Sequence, residues 1–219
     1  ACAPFRRLSV CDYNLEKMGR TSTTKHDLLA EVCMAAYYEA ESLINYRAQY
    51  DAEHHDTGFT TCTMLARSFA DIGDIIRGKD LYLGDKKKKQ NGKKTETERE
   101  KLEQKLKDIF AKIYNDVTRG KTKVAEELKT RYKDTDNYYK LREDWWNANR
   151  QQVWKAITCD AHGTYFRATC SDSGDNEKTA TRARDKCRCQ KKNGKSETDQ
   201  VPTYFDYVPQ YLRWFEEWA

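Results

Sequence analysis

The segment CTMLARSFADIGDIIRG at residues 62–78 decides the fold class of this chain. Its apolar side chains recur at spacings of three and four residues, which is the period of one face of an α-helix. Gly78 indicates where the helix ends, because glycine readily adopts the left-handed backbone that follows many helices. We predict an amphipathic helix whose buried stripe consists of Cys62, Leu65, Phe69, Ile72 and Ile76.

Helical periodicity continues on both sides of this segment. The same spacing predicts helices over residues 24–49, 102–117, 124–132, 138–157 and 209–219. Residues 138–157 carry apolar side chains on two faces, so we predict that this helix lies at the centre of a bundle. In the last helix, the buried stripe is predicted to be Leu212, Phe215 and Ala219. Nothing in residues 1–22 predicts a helix.

Composition favours the same fold class. Only 10 glycines and 3 prolines occur in 219 residues, which is too few for the many turns of a β-sandwich or a glycine-rich nucleotide-binding fold. Charged residues make up 34% of the chain, but 5 Trp, 14 Tyr and 7 Phe supply the apolar surface that a folded core needs. No uncharged apolar run approaches the roughly 18 residues that span a bilayer. We expect a soluble, all-α helical bundle.

Eight cysteines are scattered along the chain, at positions 2, 11, 33, 62, 159, 170, 187 and 189. An even, scattered set in a helical chain indicates disulfides that form in an oxidising compartment. We therefore expect an extracellular protein with a disulfide-stapled bundle. Because no signal peptide precedes the first cysteine, the chain is interpreted as a fragment of a longer protein.

Two groups of basic residues point to polyanionic partners. Residues 86–94, KKKKQNGKK, hold six lysines and no acid and are called the first basic cluster. Residues 178–195, the second basic cluster, hold eight basic residues against one acidic residue. Local positive potential favours anionic ligands, although charge runs also occur as solvated loops. The candidate binding residues are Lys86, Lys87, Lys88, Lys89, Lys93, Lys94, Arg182, Arg184, Lys186, Arg188, Lys191 and Lys192.

Sulfated glycans fit these clusters better than nucleic acids. Aromatic residues are largely absent from both clusters, so the platforms on which bases stack are missing. We therefore predict no nucleic-acid partner. Sulfated glycans need only cations spaced along an anionic chain, and they share the compartment that the cysteines indicate. Since lysine is a flexible point charge, such binding is predicted to be electrostatic, without a shaped pocket.

The sequence offers little support for catalysis. P-loop, GxGxxG, GxSxG and HExxH motifs are absent, so we predict no catalytic residue, no cofactor and no metal. One alternative remains open, since Cys159-x-x-His162 and Cys187-x-Cys189 have the spacing of a structural zinc site. With reduced thiols, this set would make the chain an intracellular, zinc-dependent nucleic-acid binder. The His54-His55 pair with its acidic neighbours is interpreted as a solvated turn.

Three stretches together resemble a known family: ACAPFRRL at 1–8, ARSFADIGDIIRG at 66–78 and PTYFDYVPQYLRWFEEW at 202–218. They are similar to the alpha-class Duffy-binding-like domain of the variant erythrocyte membrane protein 1 family of malaria parasites. LLAEVCMAA at 28–36 and REDWWNANRQQVWKAITC at 142–159 lie in the matching order between them. The similarity covers the whole chain and is weakest over residues 79–100 and 171–200.

The resemblance implies an adhesion module without enzymatic activity, displayed on the extracellular face of the infected erythrocyte membrane. Its implied partners are host cell-surface receptors including heparan sulfate-type glycans, a neighbouring cysteine-rich domain of the same chain, and host antibodies. Membrane attachment is expected only through a distant transmembrane segment outside this fragment. The alternative within the family is a structural spacer that supports the neighbouring receptor-binding domain.

The resemblance also implies a division of the chain and a set of disulfides. Residues 1–22 correspond to the end of a first subdomain and residues 23–219 to a helical second subdomain, while the third subdomain is absent. In the family, a cysteine ahead of ARSFADIGDI joins one just before the last helix, so Cys62 is predicted to pair with Cys187 or Cys189. The cysteines matching Cys2 and Cys11 pair with partners upstream of this fragment.

Overall fold

The computed structural model describes residues 2–18, 25–54, 61–84, 97–170, 180–191 and 197–219. These residues form a helical bundle with one small two-stranded sheet, so the predicted all-α, disulfide-stapled class is confirmed. The helices are α1 Phe5–Leu8, α2 Tyr13–Lys17, α3 Lys25–His54, α4 Thr61–Arg77, α5 Glu98–Val117, α6 Lys123–Arg131, α7 Tyr139–Ile157 and α8 Gln210–Trp218. The strands are β1 Ala168–Cys170 and β2 Thr181–Arg182, and a 3₁₀ turn at Phe205–Tyr207 precedes α8.

Helix α4 lies at the centre of the bundle. It is buried on all sides, with contacts to α1, α3, α7, α8 and the 3₁₀ turn. The prediction that residues 138–157 occupy the centre was wrong, because α7 exposes one face that includes Asn147, Ala148 and Lys155. The apolar stripe predicted for α4 is buried, but the rest of its surface is buried as well, and much of that surface is charged.

Glycine allows a tryptophan to pack directly on the backbone of α4. A Cβ atom at Gly73 would lie 2.7 Å from Cζ2 of Trp146, closer than van der Waals contact permits. Trp146 is fully buried, and its ring centroid lies 5.1 Å from that of Phe69. Its indole N–H donates to Asp206 Oδ2 at 2.9 Å, which ties α7 to the 3₁₀ turn. Substitution of Gly73 would therefore displace one of the largest side chains of the core.

An arginine from α7 caps the C-terminal end of α4. The buried Arg142 guanidinium donates to the Ile76 carbonyl at 2.6 Å and to the Ile75 carbonyl at 3.1 Å. These carbonyls belong to the last turn of α4, which has no intrahelical donors for them. Gly78 follows with φ +72°, as the sequence predicted, and a Cβ atom there would lie 2.8 Å from the same guanidinium.

Five charged side chains form what we call the buried ion cluster: Arg6, Asp71, Asp74, Arg77 and Arg213. Arg213 of α8 contacts both acids of α4, at 2.7 Å from Asp71 and 2.6 Å from Asp74. Arg6 of α1 lies 2.7 Å from Asp71, and Arg77 lies 2.8 Å from Asp74. The cluster therefore joins both ends of the described chain to the central helix.

The two acids of the cluster respond differently to this environment. Burial alone would raise the pKa of Asp71, but the Arg6 and Arg213 guanidinium groups outweigh it and hold that pKa below its ordinary value. For Asp74, burial is the stronger influence and raises the pKa despite Arg213 and Arg77. Asp71 is thus the carboxylate that the arginines stabilise most.

The buried face of α8 differs from the one predicted. Leu212, Phe215 and Ala219 are exposed, with Phe215 70% exposed, so the predicted apolar stripe was wrong. The buried residues are Gln210, Arg213 and Trp214. The reason is electrostatic, because Asp71 and Asp74 on the facing helix need cationic and hydrogen-bonding partners, and Gln210 and Arg213 provide them.

Residues 2–18 contain two short helices, α1 and α2, where the sequence predicted none. They are held by tertiary contacts, because Val10, Leu15 and Met18 belong to the main core. Arg7 is buried and forms an ion pair with Asp80, beyond the end of α4. Tertiary burial explains why local sequence periodicity did not reveal these helices. The division into subdomains near residue 22 stays a prediction.

Two disulfides hold the described residues between α7 and α8. Cys62 is bonded to Cys187, one of the two partners expected, and Cys170 is bonded to Cys189. The second bond lies beside an antiparallel pair of strands, β1 and β2, in which Ala168 is in register with Arg182. We call residues 164–170 and 181–184 the β ribbon.

We predict that loss of the Cys62–Cys187 bond destabilises the domain strongly. The bond closes a loop with a sequence separation of 125 residues, and restricting such a loop in the unfolded chain contributes about 4 to 5 kcal/mol. Urea denaturation of the Cys62→Ser/Cys187→Ser variant should show this loss. A Cys2→Ser/Cys159→Ser variant, which removes two exposed free thiols, should unfold like the wild type. Equal midpoints for both variants would contradict the prediction.

We also predict that Arg213→Met destabilises the protein by about 3 to 5 kcal/mol, because it leaves two buried carboxylates without a shared cation. Urea denaturation at neutral pH measures this effect. The control is Arg131→Met, which removes an ion pair with Asp144 at the surface and should change the midpoint little. An Arg213→Met midpoint as close to wild type as the control would show that the cluster is not required for stability.

Candidate receptor-binding surface

The described part of the second basic cluster lies at and after the β ribbon. Arg182, Arg184 and Lys191 are exposed, and Lys186 is half-buried. Lys186 and Cys187 have left-handed backbones, with φ of 49° and 54°, in the tight turn that pairs Asp185 with Arg188. Non-glycine residues hold such a conformation only where the surroundings impose it. Here the Cys62–Cys187 bond supplies that constraint.

One predicted binding residue has a structural role. The Arg188 guanidinium donates to Thr158 Oγ1 at 2.8 Å and to the Lys155 carbonyl at 2.7 Å. It also pairs with Glu197 at 2.9 Å. Arg188 therefore fastens the segment after the β ribbon to the end of α7. Its donors are occupied, whereas Arg182 and Arg184 form no ion pair with any described residue.

The first basic cluster lies outside the described residues, as does Lys192 of the second. This applies to Lys86, Lys87, Lys88, Lys89, Lys93 and Lys94. The described residues on either side of the first cluster are in contact, because Thr97 Oγ1 donates to the Leu83 carbonyl at 3.1 Å. Thr97 also begins α5 with a capping box, in which it exchanges hydrogen bonds with Glu100.

The structure adds two residues that sequence reasoning missed, Phe166 and Arg167. Both are exposed on the β ribbon, and the Arg167 guanidinium lies 5.2 Å from the centroid of the Phe166 ring. Both lie outside residues 178–195, the second basic cluster. The run TYFRATC at 164–170 is rich in aromatic and β-branched residues, a composition typical of strands. That composition was the available signal for a strand that pairs with the basic segment.

A second exposed surface is apolar. It consists of the outer face of α8 and the neighbouring part of α1, with Tyr211, Leu212, Phe215, Trp218 and Phe5 exposed. The Phe5 and Trp218 rings contact each other edge to face at 5.8 Å. We call this set the α8 apolar face. Exposed apolar patches of this kind often mark contacts with other proteins or domains.

The zinc alternative is excluded by the disulfides. Cys187 and Cys189 are both oxidised, so they cannot supply the thiolates that a Cys₃His site requires. Within the described ranges, no three His, Cys, Asp or Glu side chains are grouped closely enough to hold a metal ion. The described part of the chain includes the backbone of His54 but neither its side chain nor any of His55. None of the described helices is both long and apolar enough to cross a membrane.

Cys11 is a free thiol in an acidic setting. Its backbone N–H donates to Glu39 Oε2 at 3.0 Å, and the buried Glu39 also accepts from the Ser68 hydroxyl at 2.5 Å. Burial and the Glu39 carboxylate raise the pKa of the Cys11 thiol to about 11. Burial also raises the pKa of Glu39. The Cys11 side chain is therefore poorly suited to nucleophilic chemistry, which needs a thiolate.

The helical core, the stapled basic ribbon and the exposed apolar face define a disulfide-stabilised binding domain. The chain belongs to the Duffy binding domain family, whose profile matches residues 1–213. The resemblance found in the sequence is confirmed. The family consists of binding domains and not of enzymes, in agreement with the expected lack of catalytic activity.

Solved structures of Plasmodium falciparum proteins are similar to this chain. The NTS-DBL1(alpha-1) domain of PfEMP1 from the varO strain has 38% identity and a TM-score of 0.69 over 100% of this chain. The NTS-DBL1-alpha and CIDR-gamma double domain of the same strain has 40% identity and a TM-score of 0.71 over 100% of this chain. A PfEMP1 DBLbeta domain bound to ICAM-1 has 30% identity and a TM-score of 0.63, again over 100%.

The chain is shorter than these relatives. It spans 43% of the NTS-DBL1(alpha-1) structure, 27% of the double domain and 44% of the DBLbeta domain. No curated protein sequence matches it significantly.

The thiols are predicted to differ in reactivity. At pH 8, iodoacetamide should modify Cys11 on the order of a hundredfold more slowly than the exposed Cys2 and Cys159, because a pKa of about 11 leaves little thiolate. Peptide mass spectrometry measures each rate. Glu39→Gln removes the neighbouring charge and should accelerate the reaction of Cys11. The rates of Cys11 and of the two exposed cysteines should become more similar near pH 10.5. A rate ratio that does not change with pH would show that limited access alone slows Cys11.

Proposed function

We propose that this chain is an extracellular adhesion module that binds host cell-surface receptors. The observation that carries this proposal is membership of the Duffy binding domain family, together with related DBLbeta domains of PfEMP1 in complex with ICAM-1. A rigid scaffold with two disulfides and exposed basic and apolar surfaces supports it. We further propose display on the surface of infected red cells, in cytoadherence or rosetting, as part of a variant antigen that host antibodies recognise.

The proposed ligands include heparan sulfate-type glycans, bound through the two basic clusters. Arg182 and Arg184 support this proposal because they are exposed on the β ribbon, and Lys191 is exposed in the segment after it. Arginine differs from lysine as a ligand for sulfate, since its planar guanidinium binds sulfate through two parallel hydrogen bonds. Arg188 is removed from the proposed binding set because its donors are used within the protein.

A second candidate function is that of a spacer that supports a neighbouring cysteine-rich domain. Two observations favour it: a solved relative is a double domain that includes CIDR-gamma, and the α8 apolar face is exposed. The spacer function predicts contact with another domain but no glycan affinity of this chain. Independently of either function, we propose that residues 1–22 belong to the first subdomain and residues 23–219 to the second.

Heparin binding distinguishes the two functions. Replacement of Lys86, Lys87, Lys88 and Lys89 by Ala should lower heparin affinity, and so should replacement of Arg182, Arg184, Lys186 and Lys191. The matched control replaces Arg119, Lys121, Lys123 and Lys129, four exposed basic residues near α6, and should lower affinity less. Titrations by fluorescence anisotropy at several salt concentrations measure each effect.

The wild-type affinity should fall steeply as salt rises, because the Debye length shortens to about 3 Å at 1 M ionic strength. An affinity that survives loss of both clusters, or an undetectable affinity of the wild type, would favour the spacer function. Equal losses of heparin affinity in the two cluster variants and the control would indicate that the net charge of the protein attracts heparin without a defined binding surface.

A further inference from the structure

We propose that the β ribbon is a saccharide-binding site, in which the Phe166 ring packs against a sugar ring while Arg167, Arg182 and Arg184 bind its sulfate or carboxylate groups. This inference rests on the proposed glycan-binding function and goes beyond it. The basic clusters supply attraction by charge, whereas the ribbon adds one aromatic surface and a fixed set of guanidinium groups. Such a site recognises the sugar itself as well as its charge.

Backbone pairing places these four residues on neighbouring segments of one ribbon. Ala168 is in register with Arg182. The Tyr165 N–H donates to the Ala183 carbonyl at 2.9 Å, and the Thr164 hydroxyl donates to the Arg184 carbonyl at 3.2 Å. Residues 164–168 therefore run beside residues 182–184. Phe166 and Arg167 on one segment therefore share a ribbon with Arg182 and Arg184 on the other.

The β ribbon is held in place by contacts with the rest of the domain. Tyr165 is buried, and its hydroxyl donates to Thr203 Oγ1 at 3.0 Å. The Gln200 side chain donates to the Thr169 carbonyl at 2.7 Å. The Cys170–Cys189 bond closes the far end of β1. A preformed site loses little conformational entropy when a ligand binds, which favours affinity for a small saccharide.

The charges on the ribbon are available to a ligand. Among the described residues, no carboxylate lies within ion-pair distance of the Arg167, Arg182 or Arg184 guanidinium groups. Phe166 is 40% exposed, and its neighbour Arg167 lies against the ring. Arg167 also borders a groove of about 320 Å³ that Tyr165, Tyr204 and Leu212 line. Glu216 also lines this groove, and of the four residues of the proposed site only Arg167 borders it.

A saccharide suits this arrangement better than a single-stranded nucleic acid. Binding of single strands depends on successive bases that stack on successive aromatic side chains. The described ribbon exposes one aromatic ring at its centre, and Tyr165 is buried. One aromatic ring with arginines on the same ribbon suits a single sugar ring that carries anionic groups.

The test uses the full 219-residue chain with two probes, a heparin octasaccharide and an inorganic polyphosphate of equal charge, which contains no sugar ring. Phe166→Ala should weaken octasaccharide binding about fivefold to tenfold, the size expected for one aromatic contact. It should leave polyphosphate affinity and the salt dependence unchanged, because no charge is removed. Arg167→Ala should weaken binding of both probes and reduce the salt dependence. Phe166→Trp should retain octasaccharide affinity.

The matched control is Phe215→Ala, which removes a more exposed aromatic ring from α8 and should leave octasaccharide affinity unchanged. Urea midpoints of all variants establish that the fold is intact. If the wild type binds the octasaccharide and Phe166→Ala binds it equally well, the ribbon site is overturned while the proposed function stands. If the wild type does not bind it, the ribbon site and the proposed glycan binding both fail, while binding of protein receptors is not affected. Tighter, Phe166-dependent binding of an oligodeoxythymidine would overturn the saccharide assignment in favour of nucleic acid.

Discussion

Asp71 and Asp74 carry negative charge into the centre of the protein, where a carboxylate is tolerated only with a cationic partner. Both lie on α4, one turn apart, and their partners come from three helices, with Arg6 from α1, Arg213 from α8 and Arg77 from α4 itself. Pairing the two acids therefore positions α1 and α8 against the central helix. Arg6 extends the contact by binding Glu217 of α8 at 2.8 Å, so the two peripheral helices are also joined to each other.

This electrostatic requirement determines which side of α8 meets solvent. A helix with one polar and one apolar face normally buries the apolar face, but here Gln210 and Arg213 face inward to the acids of α4. The apolar residues are consequently presented outward, as the α8 apolar face. The inner face of α8 contributes to the buried ion cluster that stabilises this domain. Its outer face is the surface proposed to contact another domain.

The sequence predicted the long helices well, because their apolar spacing and turn signals are local properties. Gly78 ends α4 and residues 139–157 form α7, as expected. The errors occurred where long-range partners override local pattern. The inward face of α8 depends on acids about 140 residues away, and α1 and α2 form because their apolar residues reach the main core. The surface was predicted only in part, since proximity in sequence identified Arg182 and Arg184. Strand pairing was needed to add Phe166. The contacts of Arg188 with the end of α7 were needed to show that its donors are occupied.

The hydrogen bond between Thr97 and Leu83 joins the two described positions on either side of the first basic cluster. Since these positions are already held together, the entropic cost of closing the intervening segment grows only with the logarithm of its length, about 0.6 kcal/mol for each doubling. Insertions and deletions between residues 84 and 97 are thus expected to cost the bundle little stability. The segment can diverge in length and composition while the scaffold that carries it stays the same.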